Sequence, residues 1–205
     1  MITMELPPGD KWRQFELQAL GFRDFAGVRA DAALDPFRLA KFANLLVVEF
    51  DQIKNLSDIT RERLLGSASE EWSGGACSHA LPDGRRLVIL NPNHGSARTN
   101  ATLMEEISHV FLGHQPSRLK VLVTNKRGRT VARDYRSADE EAAYATGAAA
   151  LVPFAALRKF VLGGQSSSQI AKHFRVSREL VEYRLKVTRL WRLYQSARRL
   201  NLRMT

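Results

Sequence analysis

Apolar residues recur at mixed three- and four-residue spacing through 10–26 (DKWRQFELQALGFRDFA) and 35–46 (DPFRLAKFANLL). That is the period of a helix that buries one face. Asp35 followed by Pro36 fits an N-cap and a first helical position, so a helix is expected to start there. The pattern changes at LLVVEF (45–50), where Val47, Val48 and Phe50 favour a strand over more helix. Residues 71–80 (EWSGGACSHA) and 85–91 (RRLVILN) flank LPDG, whose Pro-Asp-Gly is a strong turn signal. The pair predicts a β-hairpin. NPNHGSARTN (91–100) is loop chemistry, and a helix is expected over 101–113 with Thr99 or Asn100 as its cap and Gly113 at its exit. Leu103, Ile107 and Val110 form the stripe that would anchor this helix in a core.

VLVT (121–124) predicts a short strand. An alanine-rich helix is expected over 137–151, where Ser137 with Glu140 three residues on reads as a capping box. Pro153 marks a boundary. Beyond the flexible GGQSSS (163–168), the run SSQIAKHFRVSRELVEYRLKVTRLW resembles a helix-turn-helix. Its first helix would cover about 168–174, its turn Arg175-Val176-Ser177, and its second helix would start at Arg178 under a Ser177 cap. Leu180, Val181, Leu185 and Thr188 would be the packed face of that second helix.

Charge divides the chain in two. Of its net +10, residues 154–205 carry twelve Lys/Arg against two acidic residues, whereas 1–153 carry nineteen of each and sum to zero. A neutral body, 1–153, and a basic helical region, 154–205, are therefore expected, and the asymmetry suggests a polyanion partner or a basic interaction face. For DNA, Arg178, Glu179, Glu182 and Tyr183 are the candidate readers at the start of the second helix. Lys172, Arg175, Arg184 and Lys186 are the candidate phosphate contacts. The two glutamates argue against that use, because they would face an anionic groove. The plainer alternative is a solvated basic helix, continued by Arg189, Arg192, Arg198, Arg199 and Arg203, packed on the body through Leu190, Trp191, Leu193 and Tyr194.

With 44% apolar and 25% charged residues, the 205-residue chain has ordinary globular composition. A lone cysteine, Cys77, excludes an internal disulfide framework; it reads as a small buried filler, with a reactive thiol as the alternative. No apolar run approaches a membrane span, and MITMELPPGDKWRQF has no basic start leading into an apolar stretch. A cytoplasmic protein without a membrane partner is expected.

The residues with the most chemistry are in TLMEEISHVFLGH (102–114). On a helix, Glu105 and His109 share a face at i, i+4 and could grip one metal ion. Glu106 is displaced by about 100°, where a zinc-peptidase helix of the form H-E-x-x-H keeps its general base. A catalytic zinc takes three protein ligands, and Asp139-Glu140-Glu141 at the start of the next helix is the evident source of the third. The plainer reading is an acidic helix start complementing the dipole, with His109 buried and hydrogen-bonded. His114, five residues past His109, would share its face only through a break at Gly113. His79 and His94 read as polar surface residues, and His173 lies in the basic region.

Taken in order, these motifs resemble the ImmA/IrrE family of zinc metallopeptidase-like proteins. Thr102, Leu103, Glu106, His109, Gly113 and His114 match its active-site helix; Glu140, Ala143, Gly147, Leu151 and Pro153 match its glutamate-bearing helix. The resemblance implies an α+β fold: a zincin-like domain with a small sheet and an active-site helix, followed by a helix-turn-helix-like all-α region. It also implies zinc, with Glu106 as catalytic base, and cleavage of a repressor-like regulatory protein. Two departures stand out. The family's first histidine is Glu105, and its second acidic slot falls on Ala142, leaving Glu140 or Glu141 as third ligand. Glu105, His109 and one of these would form a one-histidine site, harder than the family's and relatively more favourable to manganese or iron. The other reading is a metal-free, non-catalytic regulator acting through protein contacts or through DNA binding by its basic region.

Overall fold

The computed structural model describes residues 5–29, 31–54, 56–76, 80–114, 123–124, 130–131 and 137–204. Cys77, His79 and the first half of VLVT lie outside them, as does the side chain of Arg203. The fold is α+β, with a small sheet against a helical body.

Helix α1 (Asp10–Phe25) is followed by α2 (Pro36–Phe42), which starts as its sequence demands. The Asp35 carboxylate accepts from the Phe37 amide and Pro36 fills the first turn. Strand β1 (Leu45–Val48) leads through α3 (Asp58–Leu65) to β2 (Gly74–Ala76) and β3 (Arg86–Leu90). The sheet order is β1-β3-β2: Val88 of the central strand faces Val47 of parallel β1 and Ala76 of antiparallel β2. The Pro-Asp-Gly turn closes with Gly84 donating to the Leu81 carbonyl at 2.9 Å, and Gly84 takes the positive φ of 81° that the turn needs. A two-stranded antiparallel ribbon pairs β4 (Val123–Thr124) with β5 (Thr130–Val131).

Helix α4 (Ser96–Phe111) starts five residues before its expected first residue, 101. The amides of Arg98 and Thr99 both reach the Gly95 carbonyl, at 3.0 and 3.1 Å, so the helix needs no side-chain cap. Thr99 and Asn100 are therefore interior residues, a correction to their assignment as caps. Helix α5 (Ser137–Leu151) packs its small side chains, with Ala143, Ala145, Ala148, Ala149 and Ala150 all buried, between α1 and α4.

The basic region folds as α6 (Phe154–Leu162), α7 (Ser167–Phe174), α8 (Arg178–Val187) and α9 (Trp191–Met204). A capping box on Ser166 and Gln169 starts α7, and the Ser177 hydroxyl accepts from the Leu180 amide at 3.1 Å to start α8. Leu180, Val181, Leu185 and Thr188 are buried, and their apolar members join the hydrophobic core that runs from Ala19 to Leu190. No single described helix is long and apolar enough to cross a membrane.

Two charged side chains fasten α8 to the body. Arg184, expected to touch phosphate, is 1% exposed and ion-paired with equally buried Glu16 of α1. Its Nε also donates to the Val152 carbonyl at 3.0 Å, and the second Glu16 oxygen accepts from the Phe154 amide at 2.6 Å. The carboxylate thus caps α6 and neutralises α8 at once, which is why a buried pair is tolerated here. Arg184 cannot reach a nucleic acid, and its assignment as a phosphate contact is withdrawn. A second arginine, Arg23, donates to the Ala150, Arg29 and Ala32 carbonyls. Burial pushes its pKa down to about 10 against the opposing pull of Asp31 and Glu16.

Removing one partner of the buried pair leaves an uncompensated charge. Arg184→Leu is expected to lower the unfolding free energy by about 3–5 kcal/mol in a urea titration. The double variant Glu16→Leu with Arg184→Leu should lose less than the two single losses added together.

Candidate metal centre

Helix α4 reaches the core through Leu103, Met104 and Ile107, all fully buried, while Val110 of the expected stripe is only partly covered. Ser108 is buried as well and returns its hydroxyl to the Met104 carbonyl at 2.7 Å. Helix α5 crosses this stretch with Gly147 at the contact. A Cβ there would lie 3.2 Å from the Met104 carbonyl oxygen and 3.3 Å from the Ser108 hydroxyl. The missing side chain lets the two helices approach closely, and this approach brings their polar residues together.

Glu105, His109 and Glu140 each offer one ligand atom, and the three atoms lie within 4.8 Å of one another. Nε2 of His109 is 3.7 Å from Oε2 of Glu140. Donors around a tetrahedral zinc are roughly 3.3 Å apart for bonds near 2.0 Å, so modest side-chain rotation closes the group on a cation. One imidazole nitrogen and two carboxylates are a chemically reasonable donor set for zinc, and for harder divalent ions more so. His109 is buried, and Glu105 and Glu140 are half-buried. Glu106 is buried on the neighbouring face of α4, in the slot the base occupies in zinc-peptidase helices.

The third ligand, open between two glutamates in the sequence, divides clearly in space. Glu140 joins Glu105 and His109, whereas Glu141 pairs with Lys11 of α1 at 2.6 Å. Glu141 is therefore removed from the candidate ligands.

His114 also comes to the centre. Its Nδ1 is 3.0 Å from Nδ1 of His109, and its Nε2 is 3.9 Å from Oδ1 of Asp139. His94 differs from a plain surface residue: both ring nitrogens are shielded from solvent, and burial followed by the Arg98 charge holds its pKa down. His173 donates to or accepts from nothing in this centre; its Nε2 meets the Asp31 carbonyl at 2.6 Å and its ring lies against Phe160 and Phe174.

Sequence reading missed Tyr144, one turn beyond Glu140 on α5. Burial, and then the negative charge of Glu105, raise its pKa. Its ring meets Tyr183 of α8 edge-on at 5.0 Å, and burial pushes the Tyr183 phenol up to about 12. The i, i+4 spacing of Glu140 and Tyr144 was the available signal. The consequence for α8 is direct, because Tyr183, a candidate base reader, packs beside the metal-type centre instead. Of the remaining candidates, Lys172, Arg175, Arg178 and Lys186 are exposed. Arg178 pairs with Glu182 at 3.3 Å, and Lys186 lies over the Trp191 ring at 5.4 Å. The Arg175 carbonyl accepts from Asn100 of α4 at 3.2 Å, fastening the turn of the helix-turn-helix to the helix that carries Glu105 and His109.

Two helices presenting E-E-x-x-H and a facing glutamate over a small sheet define a zincin-type architecture. Comparison with known proteins gives the family: the model of the IrrE N-terminal-like domain, a peptidase family, matches residues 68–186. The chain belongs to that family. Among solved structures, a Mycobacterium tuberculosis transcriptional regulator shares the fold, with a TM-score of 0.52 and 16% identity over 84% of this chain. The match covers 46% of that regulator, so this chain spans less than half of its length. No curated protein matches the chain.

Gly147→Val would place two methyl groups against the α4 backbone. It is expected to cost about 1–3 kcal/mol in chemical denaturation. Gly147→Ala should be close to neutral, because about 1 kcal/mol of helix propensity offsets the tight Cβ contact.

Proposed function

We propose that the chain is a metal-dependent peptidase-type regulator that acts on a regulatory protein. Glu105, His109 and Glu140 hold a divalent cation, and Glu106 is the general base. The observation that carries this reading is the convergence of three ligand atoms from α4 and α5 within 4.8 Å, even though the family's first histidine is absent.

A cation held there supplies Lewis acidity toward a peptide carbonyl. The protein's own residues do the rest. The Glu106 carboxylate takes a proton from the attacking water and delivers it to the departing amide nitrogen, so one residue is base and then acid. Glu105 contributes a negative charge that a neutral imidazole would not. This lowers the electrophilicity available at the carbonyl and shifts the preference of the site toward manganese or iron relative to a two-histidine site. The family assignment supports a protein substrate, and a repressor-like regulator is the one that the resemblance to the ImmA/IrrE family implies.

A second partner class has narrower support. Lys172, Arg175 and Lys186 remain exposed on a region with net +10, which suits a polyanion or an acidic protein face. With Arg184 buried and Tyr183 against Tyr144, α8 has fewer groups left to read bases.

Calorimetric titration with zinc or manganese should give one site that His109→Ala abolishes. Glu106→Gln should keep that site and the fold, and lose about 10²–10⁴-fold in cleavage of the partner protein. Cleavage at the wild-type rate would refute the role of Glu106. Glu105→His is expected to move the metal preference from manganese toward zinc, measured by competition between the two ions.

A further inference from the structure

Side chains alternate across a strand, so the face of β3 that sets Val88 and Leu90 in the core also carries Arg86, two positions earlier. A guanidinium at the start of a core-facing row calls for a partner. Its neighbour Arg85 has one, Asp83, at 2.7 Å. The Arg86 backbone amide donates to the Asn44 carbonyl at 2.9 Å, but among the described residues nothing pairs with the Arg86 side chain.

Arg86 borders a cavity of about 260 Å³, closed by Ala43 and Asn44 after α2 and by Val110, Gly113 and His114 at the end of α4. No acidic residue lines it. Gly113 turns the chain there with a left-handed φ of 70°, and His114 follows that turn to the cavity wall. The same ring has its Nδ1 3.0 Å from Nδ1 of His109, so the cavity is one imidazole away from the candidate metal centre.

An aromatic surface adjoins the cavity at two points of the chain, Phe42 beside Ala43 and Phe111 beside Val110. Phe25 joins them, edge-on to Phe42 at 5.2 Å and to Phe111 at 6.0 Å. Phe42 and Phe25 are 62% and 57% exposed, so the cluster faces solvent. Contiguous exposed rings mark a place that another molecule covers.

We propose that the cavity and the aromatic surface form one docking site for a peptide segment that carries an acidic side chain next to a large apolar one. The carboxylate pairs with the Arg86 fork, and the apolar neighbour lies on Phe42 and Phe111. Charge decides between anions: one unpaired guanidinium matches one carboxylate bidentately, whereas a phosphate dianion would stay half-neutralised. Size points the same way. The cavity is below the roughly 300 Å³ at which sites for drug-sized ligands begin, yet larger than a carboxylate alone, which suits a group carried inward on the stem of a glutamate or aspartate. In the reading proposed above, the segment belongs to the protein on which the centre acts. The inference deepens that reading and rests on it for this assignment alone.

The test is a proton–nitrogen NMR titration of the metal-free protein with an N-acetylated, C-amidated hexapeptide in which glutamate and phenylalanine stand between glycines. Binding should shift the Arg86 Nε–H signal, and glutamine in place of the glutamate should weaken it about 10–100-fold. Arg86→Met keeps the apolar stem and removes the fork, so it should bring the acidic peptide down to the affinity of the glutamine peptide. Phe42→Ala alters an exposed ring and should weaken the acidic peptide about 2–10-fold, which keeps the idea testable if Arg86→Met folds poorly. Equal affinity for the two peptides, or binding untouched by both variants, would overturn the inference. A preference for a glutamine peptide with a free C-terminal carboxylate over the amidated acidic one would overturn the side-chain source. Acidic-peptide binding by a chain that takes up no zinc would overturn the metal reading and leave this site standing, and zinc uptake without peptide binding would do the reverse.

Discussion

The close contact of α4 with α5 is the constraint on which the candidate centre depends. Glu105 and His109 are on one helix and Glu140 is on the other, so the spacing of the helix axes sets the size of any site between them. Gly147 against the Met104–Ser108 turn makes that spacing short. The alanine content of α5 has the same origin: a helix wedged between α1 and α4 has room for few large side chains. Composition, packing and chemistry are here one fact seen at three scales.

The C-terminal helices use a different device for a related end. Glu16 holds the start of α6 and the middle of α8 together through one carboxylate, and Asn100 ties the turn before α8 to α4. The helix-turn-helix is therefore part of the body that carries the centre. Its second helix turns Tyr183 onto Tyr144, beside Glu105, where a DNA reader would present it outward. A cationic region and a helix-turn-helix pattern thus coexist with a packing of α8 against α5, the helix that carries Glu140. The charge that remains outside comes from residues such as Lys172, Arg175 and Lys186.

Features governed by local chemistry were legible in the sequence. Asp35-Pro36 starts α2, Pro-Asp-Gly closes the β2–β3 turn and Ser177 starts α8, because caps and turns are decided by residues within three or four positions. The family resemblance was legible too, since it rests on two contiguous helical motifs. What was hidden depends on partners far along the chain. The burial of Arg184 requires Glu16, and the choice of Glu140 over Glu141 depends on which face of α5 packs against α4. The early start of α4 was concealed for another reason: Ser96-Ala97-Arg98 follows a run of loop-forming residues, yet a backbone carbonyl alone suffices to start it.

Replacing the family's first histidine by Glu105 is the departure on which the account turns, because a carboxylate either completes a harder site or marks one that was abandoned. X-ray absorption at the zinc edge, on protein loaded with one equivalent and then desalted, reads the ligands directly. The account predicts retained zinc with a single imidazole and otherwise oxygen donors near 2.0 Å. Zinc lost on desalting, or a spectrum requiring two imidazoles, would contradict it.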